Sequence, residues 1–287
     1  MSIQTRKFGQ LEILTAEGIT APHAFTTRHG GVSKGALESM NLAIKLDETD
    51  ENVTRNFEIL GAALGFGISD LVLTRQTHSD IVRVVDRNDC SGCLHRNYPE
   101  CDALVSNTPG IALTVFTADC TPILLHDPVT GAVGAAHAGW RGTVSSIGAK
   151  TAQTMCREFG CRIEDIRAAI GPNIGPCHFE TDADVPEAML AAFGDEVLPY
   201  IRQKGKKYYV NLKEINGLIL RRAGIQHIEI SDACTMASEP QTAMAEVGGL
   251  TCPCLSPPLT QRGAGGERDP RVLLGPSVCL SPSAPDV

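Results

Sequence analysis

The run from Thr114 to Gly142, TVFTADCTPILLHDPVTGAVGAAHAGWRG, constrains this chain more than any other. Ile111 to Phe116 and Pro122 to Leu125 are short apolar runs, and a third begins at Ala132. Each is bounded by turn residues, which predicts buried strand rather than helix. Between the second and third lies Asp127-Pro128-Val129-Thr130-Gly131, where proline fixes φ and glycine tolerates a positive one, so these two strands form a hairpin. Asp119 and Cys120 precede one strand and His137 ends the other, so the hairpin carries its reactive side chains at strand ends. A cysteine and a histidine held this way are a metal pair or a nucleophile and its base.

The rest of the chain supplies elements to build around the hairpin. Residues 24–27 end a strand that opens into Arg28-His29-Gly30-Gly31-Val32-Ser33. Arg28, the backbone of Gly30 and Gly31, and the Ser33 hydroxyl could meet a small anion there, or the segment is simply a tight turn. Asp50 to Gly65 predicts a helix with Asp50 as N-cap, Val53, Phe57, Leu60 and Leu64 on one face, and Gly65 just past its end. Arg55 lies off that face, solvated or aimed at a site.

Leu71 to Arg75 and Ile81 to Val85 are strand-like, with His78 in the turn between them. In the loop 86–101, Cys90, Cys93, His95 and Cys101 have part of the spacing of a zinc cluster, though Cys93 and His95 are close for ligands and no second C-x-x-C follows. Ala103 to Ser106 is a strand. A helix is expected over about Ser145 to Phe159, beginning after a Gly-rich turn whose amides could hold an anion. Ile166 to Ile170 is a strand, 171–177 a rigid loop, Asp184 to Phe193 and Leu212 to Arg222 are helices, and Ile225 to Ile230 is the last strand. From about residue 237 periodicity fades, and eight of the 17 prolines fall in 238–287, so this tail reads as irregular. The expected organisation is one domain over 1–236 followed by that tail.

Composition narrows the function classes. A net charge of −8 argues against a general nucleic-acid surface. No apolar run approaches the roughly 18 residues of a membrane span, and the start MSIQTRKFGQ lacks a signal-peptide core, so a cytoplasmic protein is expected. Eleven cysteines in a reducing compartment read as thiols or metal ligands. His78, Cys120 and His137, each at a strand end, suit Zn²⁺ with a fourth position open. A Cys-His nucleophile pair and a copper site stand beside that reading. None of the eight histidines lies two residues from another, so the paired H-x-H motifs of blue multicopper oxidases are absent.

Five segments, TRHGGVS, QTHSD, CDALVSNTPGIALTVFTADCTPILLHDP, GAVGAAHAGWRGTV and AAIGPNIGPCHFE, resemble the laccase-domain family over about residues 20–235. It is also called the multicopper polyphenol oxidase family, and its members have been reassigned as zinc-dependent purine nucleoside phosphorylases. The resemblance implies an α+β fold, with mixed sheets and outer helices in α-β-β-α layers. It implies that His78, Cys120 and His137 bind one zinc. It implies phosphorolysis of adenosine, inosine and methylthioadenosine, with some adenosine deamination, and an older description as copper-dependent oxidases of phenols by dioxygen. Phosphorolysis needs an anion site, for which Arg28 with Gly30 and Gly31, Arg55, or Arg141 at the helix entrance are candidates. Deamination needs an acid/base carboxylate, for which Asp119 and then Glu180 are candidates. Asp232-Ala233-Cys234-Thr235 matches the family's D-x-C-T segment, but the aromatic-Ser-x-Arg block that usually follows is replaced by the Pro-rich tail. A weaker or less stable enzyme, or a non-catalytic protein that binds a nucleoside or a metal, is expected from that replacement.

Overall fold

The computed structural model describes residues 3–43, 48–95, 99–237 and 275–280. Two six-stranded sheets carry the fold. The first runs in the order β1 (Ile3–Phe8), β2 (Leu11–Ala16), β3 (His23–Thr26), β15 (Gly275–Leu280), β7 (Ala112–Thr117), β4 (Leu71–Leu73). The second runs β14 (His227–Ile230), β10 (Arg167–Ile170), β8 (Thr121–His126), β9 (Val133–Ala138), β6 (Ala103–Ser106), β5 (Val82–Val84). A small third sheet holds β11 (Glu180–Thr181), β13 (Lys207–Val210) and β12 (Ile201–Lys204). Both large sheets mix parallel and antiparallel pairs.

The layering follows from which faces are apolar. Leu14, Phe25, Val72, Leu113 and Val115 of the first sheet pack in one core with Leu104, Leu124, Ala135 and Ala169 of the second. The outer face of the first sheet is closed by α1 (Asp50–Leu64) through Val53, Phe57 and Leu60. Each of these side chains gains about 1.5–3 kcal/mol on burial. The outer face of the second is closed by α3 (Ile147–Phe159) and α5 (Leu212–Arg222) through Ile147, Ala152, Met155 and Leu220. A fourth cluster seats α4 (Asp184–Phe193) with α5 beside the small sheet. This is the α-β-β-α arrangement expected from the resemblance. No helix among the described residues is long and apolar enough to cross a membrane.

The hairpin holds: β8 and β9 pair antiparallel from Thr121↔Ala138 to His126↔Val133, and both are buried on both faces. That double burial is why they read as apolar runs without alternation. Four expectations are corrected. Thr49, not Asp50, caps α1: its side chain accepts from the Asn52 amide at 3.2 Å, and Asp50 and Glu51 follow in the first turn, where the helix dipole favours acids. The helix expected over about Ser145 to Phe159 is α3, but the Gly-rich turn expected before it is itself a short helix, α2 (Trp140–Val144), separated from α3 by Ser146, whose φ of 59° cannot continue a helix. β14 is not the last strand. Finally, the tail is not irregular throughout. Gly275–Leu280 forms β15, between β3 (Ser277↔Phe25) and β7 (Ser277↔Val115), where it completes the first sheet. A lone six-residue run after a long aperiodic stretch carries no sequence signal of its own, because its partners are some 160 and 250 positions earlier.

Candidate metal centre

The register of the second sheet assembles the centre. Pro122 pairs with His137, which brings Cys120, just before β8, level with the end of β9. β6 lies on the other side of β9, and the His137 amide donates to the Asp102 carbonyl at 2.8 Å. Asp102 therefore sits beside His137, and its carboxylate organises what surrounds it. Oδ1 is 2.8 Å from His137 Nδ1 and accepts from the His78 amide at 3.1 Å. Oδ2 accepts from the Thr77 amide at 3.1 Å and from the Ser79 amide and hydroxyl, each at 2.7 Å. Three successive amides on one buried carboxylate bend the chain at residues 77–79, and His78 takes the left-handed φ of 60° that this turn requires.

The result brings His78, Cys120 and His137 together, with their candidate ligand atoms all within 4.8 Å of one another. Cys120 Sγ lies 3.7 Å from His78 Nε2, and the two imidazoles meet edge to face with centroids 4.9 Å apart. Tetrahedral zinc with ordinary Zn–S and Zn–N bonds places sulfur and nitrogen about 3.6 Å apart. The observed spacing fits. Asp102 holds Nδ1 of His137, so Nε2 is the nitrogen left to bind. A carboxylate behind a metal-binding imidazole fixes its tautomer and raises its basicity, and Asp102 stands in that position behind His137. Gly139 closes the floor: a Cβ there would come within 2.7 Å of His78 Cδ2 and 3.2 Å of Cys120 Sγ.

The electrostatics follow from burial and pairing. Burial alone would raise the pKa of Asp102, but hydrogen bonds from His137 and from the Ser79 hydroxyl and amide outweigh it and bring it to about 2. Burial alone would lower that of His137, but its bonds to Asp102 and Cys120 outweigh it and push it up to about 9 in the metal-free chain. His78 is held below the usual histidine range by burial and by the charge of His137, against the pull of Asp102 and with help from Arg141.

The other sequence candidates lie as follows. Arg141 is in the first turn of α2, exposed, with its guanidinium 4.2 Å over the Trp140 ring, and its charge is felt at His78. Asp119 adjoins Cys120 and accepts from Thr235 Oγ1 at 3.0 Å. Glu180 is exposed on β11 and accepts from the Tyr209 hydroxyl. Arg55 is exposed on α1 and paired with Glu58 at 2.8 Å, the solvated alternative rather than the site-directed one. The anion-cradle reading of Gly31 and Ser33 is corrected as well. The Gly31 amide donates to Ser39 Oγ, the Ser33 amide to the Ser39 carbonyl, and Ser33 Oγ accepts from Asn56 Nδ2 at 2.9 Å. Gly31 is small because Met40 and Asn56 pack against it, and a Cβ would fall 2.5 Å from Met40 Cα. Cys90, Cys93, His95 and Cys101 do not converge. Cys93 is buried under α1, Cys101 is buried between the sheets, and His95 is exposed.

Two features escaped the sequence reading. Asp102 had a usable signal, a carboxylate opening the apolar run Ala103–Ser106 within one of the five segments, at the same sheet end as the histidines. The second is a metal-capable group, Cys177, His178 and Cys234, assembled across 57 residues of chain. Cys177 and His178 are adjacent in sequence, but nothing local announces Cys234 as their neighbour.

A family model described as "Multi-copper polyphenol oxidoreductase laccase" matches residues 22–241. A purine nucleoside phosphorylase from Deinococcus radiodurans is 39% identical over 233 residues, spanning 80% of this chain and 85% of that one. Adenosine deaminase RL5, from an unknown prokaryotic organism, is 33% identical over 76% of this chain and 85% of its own length. The crystal structure of YlmD from Geobacillus stearothermophilus superposes with a TM-score of 0.75 at 31% identity, over 81% of this chain and 88% of that one.

Proposed function

The chain belongs to the multi-copper polyphenol oxidoreductase laccase family, and on that premise we propose that it is a purine nucleoside phosphorylase working at the His78, Cys120 and His137 centre. The observation that carries this reading is the convergence of those three side chains, braced by Asp102, in a chain similar over most of its length to relatives named for purine nucleoside chemistry. In the reaction proposed, the N-glycosidic bond of adenosine, inosine or methylthioadenosine breaks and a phosphate oxygen bonds to the anomeric carbon. The products are the free base and a pentose 1-phosphate.

Zinc held by His78, Cys120 and His137 would supply fixed positive charge and Lewis acidity. The chain's own residues do the rest. Asp102 keeps Nδ1 of His137 protonated and its ring immobile, so the donor set does not have to reorganise during turnover. Arg141, within electrostatic reach of His78, is assigned to hold phosphate, with Arg28 as the second candidate. Asp119, beside Cys120 and oriented by Thr235, is assigned the proton transfer at the purine.

Adenosine deamination is the second reading, supported by the relative named adenosine deaminase. Copper-dependent phenol oxidation is not carried forward, because it rests on the family's description alone while the relatives are named for purine chemistry. Incubating adenosine with the metal-loaded protein separates the readings. Adenine formed only with phosphate supports phosphorolysis, and inosine formed without phosphate supports deamination. Neither product, with dioxygen consumed on a phenol instead, would overturn the proposal.

A further inference from the structure

Outside that centre, one other group of ligand side chains converges among the described residues. Cys177 Sγ lies 3.6 Å from Cys234 Sγ, and His178 Nδ1 lies 3.2 Å from the first sulfur and 3.4 Å from the second. Two thiolates and one imidazole on a tetrahedral zinc ion stand about 3.8 Å apart for the sulfur pair and about 3.6 Å for each sulfur-nitrogen pair. The three observed edges lie within about 0.4 Å of that triangle. A disulfide would instead bring the sulfurs to about 2.05 Å.

The backbone is built to hold the donors there. His178 and Phe179 both donate their amides to the Gly175 carbonyl, which folds Cys177 and His178 into a tight turn. The Gly175 amide donates to Cys234 Sγ at 3.1 Å, which fixes the position of that sulfur. A Cβ at Gly175 would lie 3.2 Å from Cys177 Sγ and 3.3 Å from Cys234 Sγ, so the position leaves room only for the sulfurs. Cys234 is fixed by the bridge between its own residue and Asn173, and by the buried Lys213, whose Nζ donates to the Ala233 carbonyl at 2.8 Å.

We propose that Cys177, His178 and Cys234 form a second zinc site, distinct from the His78, Cys120 and His137 centre. Binding replaces two thiol protons with two Zn–S bonds, while His178 binds as the neutral imidazole through Nδ1. The ion ties the loop 173–179 to the segment 231–237. That junction also carries the Thr235 bond to Asp119 and the Ile174 amide bond to the Asp119 carbonyl. The second site therefore braces Asp119, the residue that precedes Cys120.

The test uses the full chain, reduced and stripped of metal, with Co²⁺ as spectroscopic probe and Zn²⁺ as competitor. A Cys120→Ser, His137→Ala double variant has lost the first centre, including its one thiolate. The double variant is expected to bind one equivalent of Co²⁺ with a thiolate-to-cobalt absorption band, which Zn²⁺ displaces. Adding Cys177→Ser and Cys234→Ser is expected to abolish both the band and the equivalent. Cys234→Ser alone is expected to keep one equivalent at the first centre, which reports that it folds. The proposal is overturned if the double variant, with its thiols verified as reduced, gives no band. It is overturned equally if the band survives loss of Cys177 and Cys234.

Discussion

Replacing Asp102 by asparagine tests how the centre is held while preserving the side chain's shape. The carboxylate receives five donors, three at Oδ2 and two at Oδ1. An amide can accept at only one of those positions. Its carbonyl falls best at Oδ2, where Thr77 and Ser79 converge, which leaves the NH₂ group facing the His78 amide and His137 Nδ1. His137 can then satisfy the NH₂ only by presenting an unprotonated Nδ1, which moves its proton to Nε2, the nitrogen needed for metal. Metal affinity is expected to fall by about 10- to 100-fold, the usual cost of removing such a bracing partner. The His78 amide loses its charged acceptor while the His137 bond is replaced by a neutral one, so the metal-free chain is expected to lose about 1.5–3 kcal/mol of stability. Competitive zinc titration against a chromophoric chelator and urea denaturation of the metal-free chain measure the two quantities. Unchanged zinc affinity in a folded Asp102→Asn protein would refute the tautomer argument, whatever happened to stability.

Other outcomes follow from single contacts. Gly139→Ala places a methyl 2.7 Å from the His78 ring with no backbone strain, since φ is −65°. Metal affinity should therefore fall at least tenfold with the fold retained by circular dichroism. Arg141→Ala is expected to raise the KM for phosphate, and an unchanged KM removes Arg141 from that role. Burial holds His126 at a pKa of about 4, below its unfolded value of 6.5, with Asp127 opposing and His23 assisting. The unfolded chain then binds the proton first, so stability is full above pH 6.5 and falls by about 3 kcal/mol as pH drops through 4. His126→Phe should flatten the dependence of Tm on pH in that window, and an unchanged slope contradicts the assignment. Ending the chain at residue 237 removes β15 and leaves β3 and β7 without their shared partner. Loss of cooperative unfolding is expected, and a sharp transition at the parent Tm would show that the strand is dispensable.

The parts of this molecule legible in the sequence are those whose signal is local. The β8–β9 hairpin was legible because its strands are buried on both faces and joined by a turn whose residues dictate its shape. The helix α1 was legible from the spacing of Val53, Phe57 and Leu60. His78, Cys120 and His137 were legible as strand-end residues and as matches to a known pattern. The break at Ser146 was not, since an αL serine has no compositional mark. β1 was missed because it is an exposed edge strand without an apolar run, whereas the buried β2 offered Leu11, Ile13 and Leu14 as a short apolar run that went unread. β15 and Cys234 were missed for one reason: each takes its meaning from a partner far away in the chain. The paired glycines misled in the opposite direction, since a glycine that admits its own chain looks the same in sequence as one that admits an anion.

Phosphorolysis is the activity proposed for the His78, Cys120 and His137 centre. Its most direct test is hypoxanthine release from inosine over a phosphate titration, run in parallel on zinc-loaded wild type and His78→Ala. Phosphorolysis there requires release that saturates with phosphate, equimolar ribose 1-phosphate, and loss of both in the variant. Release independent of phosphate, or unchanged by the loss of His78, would contradict it.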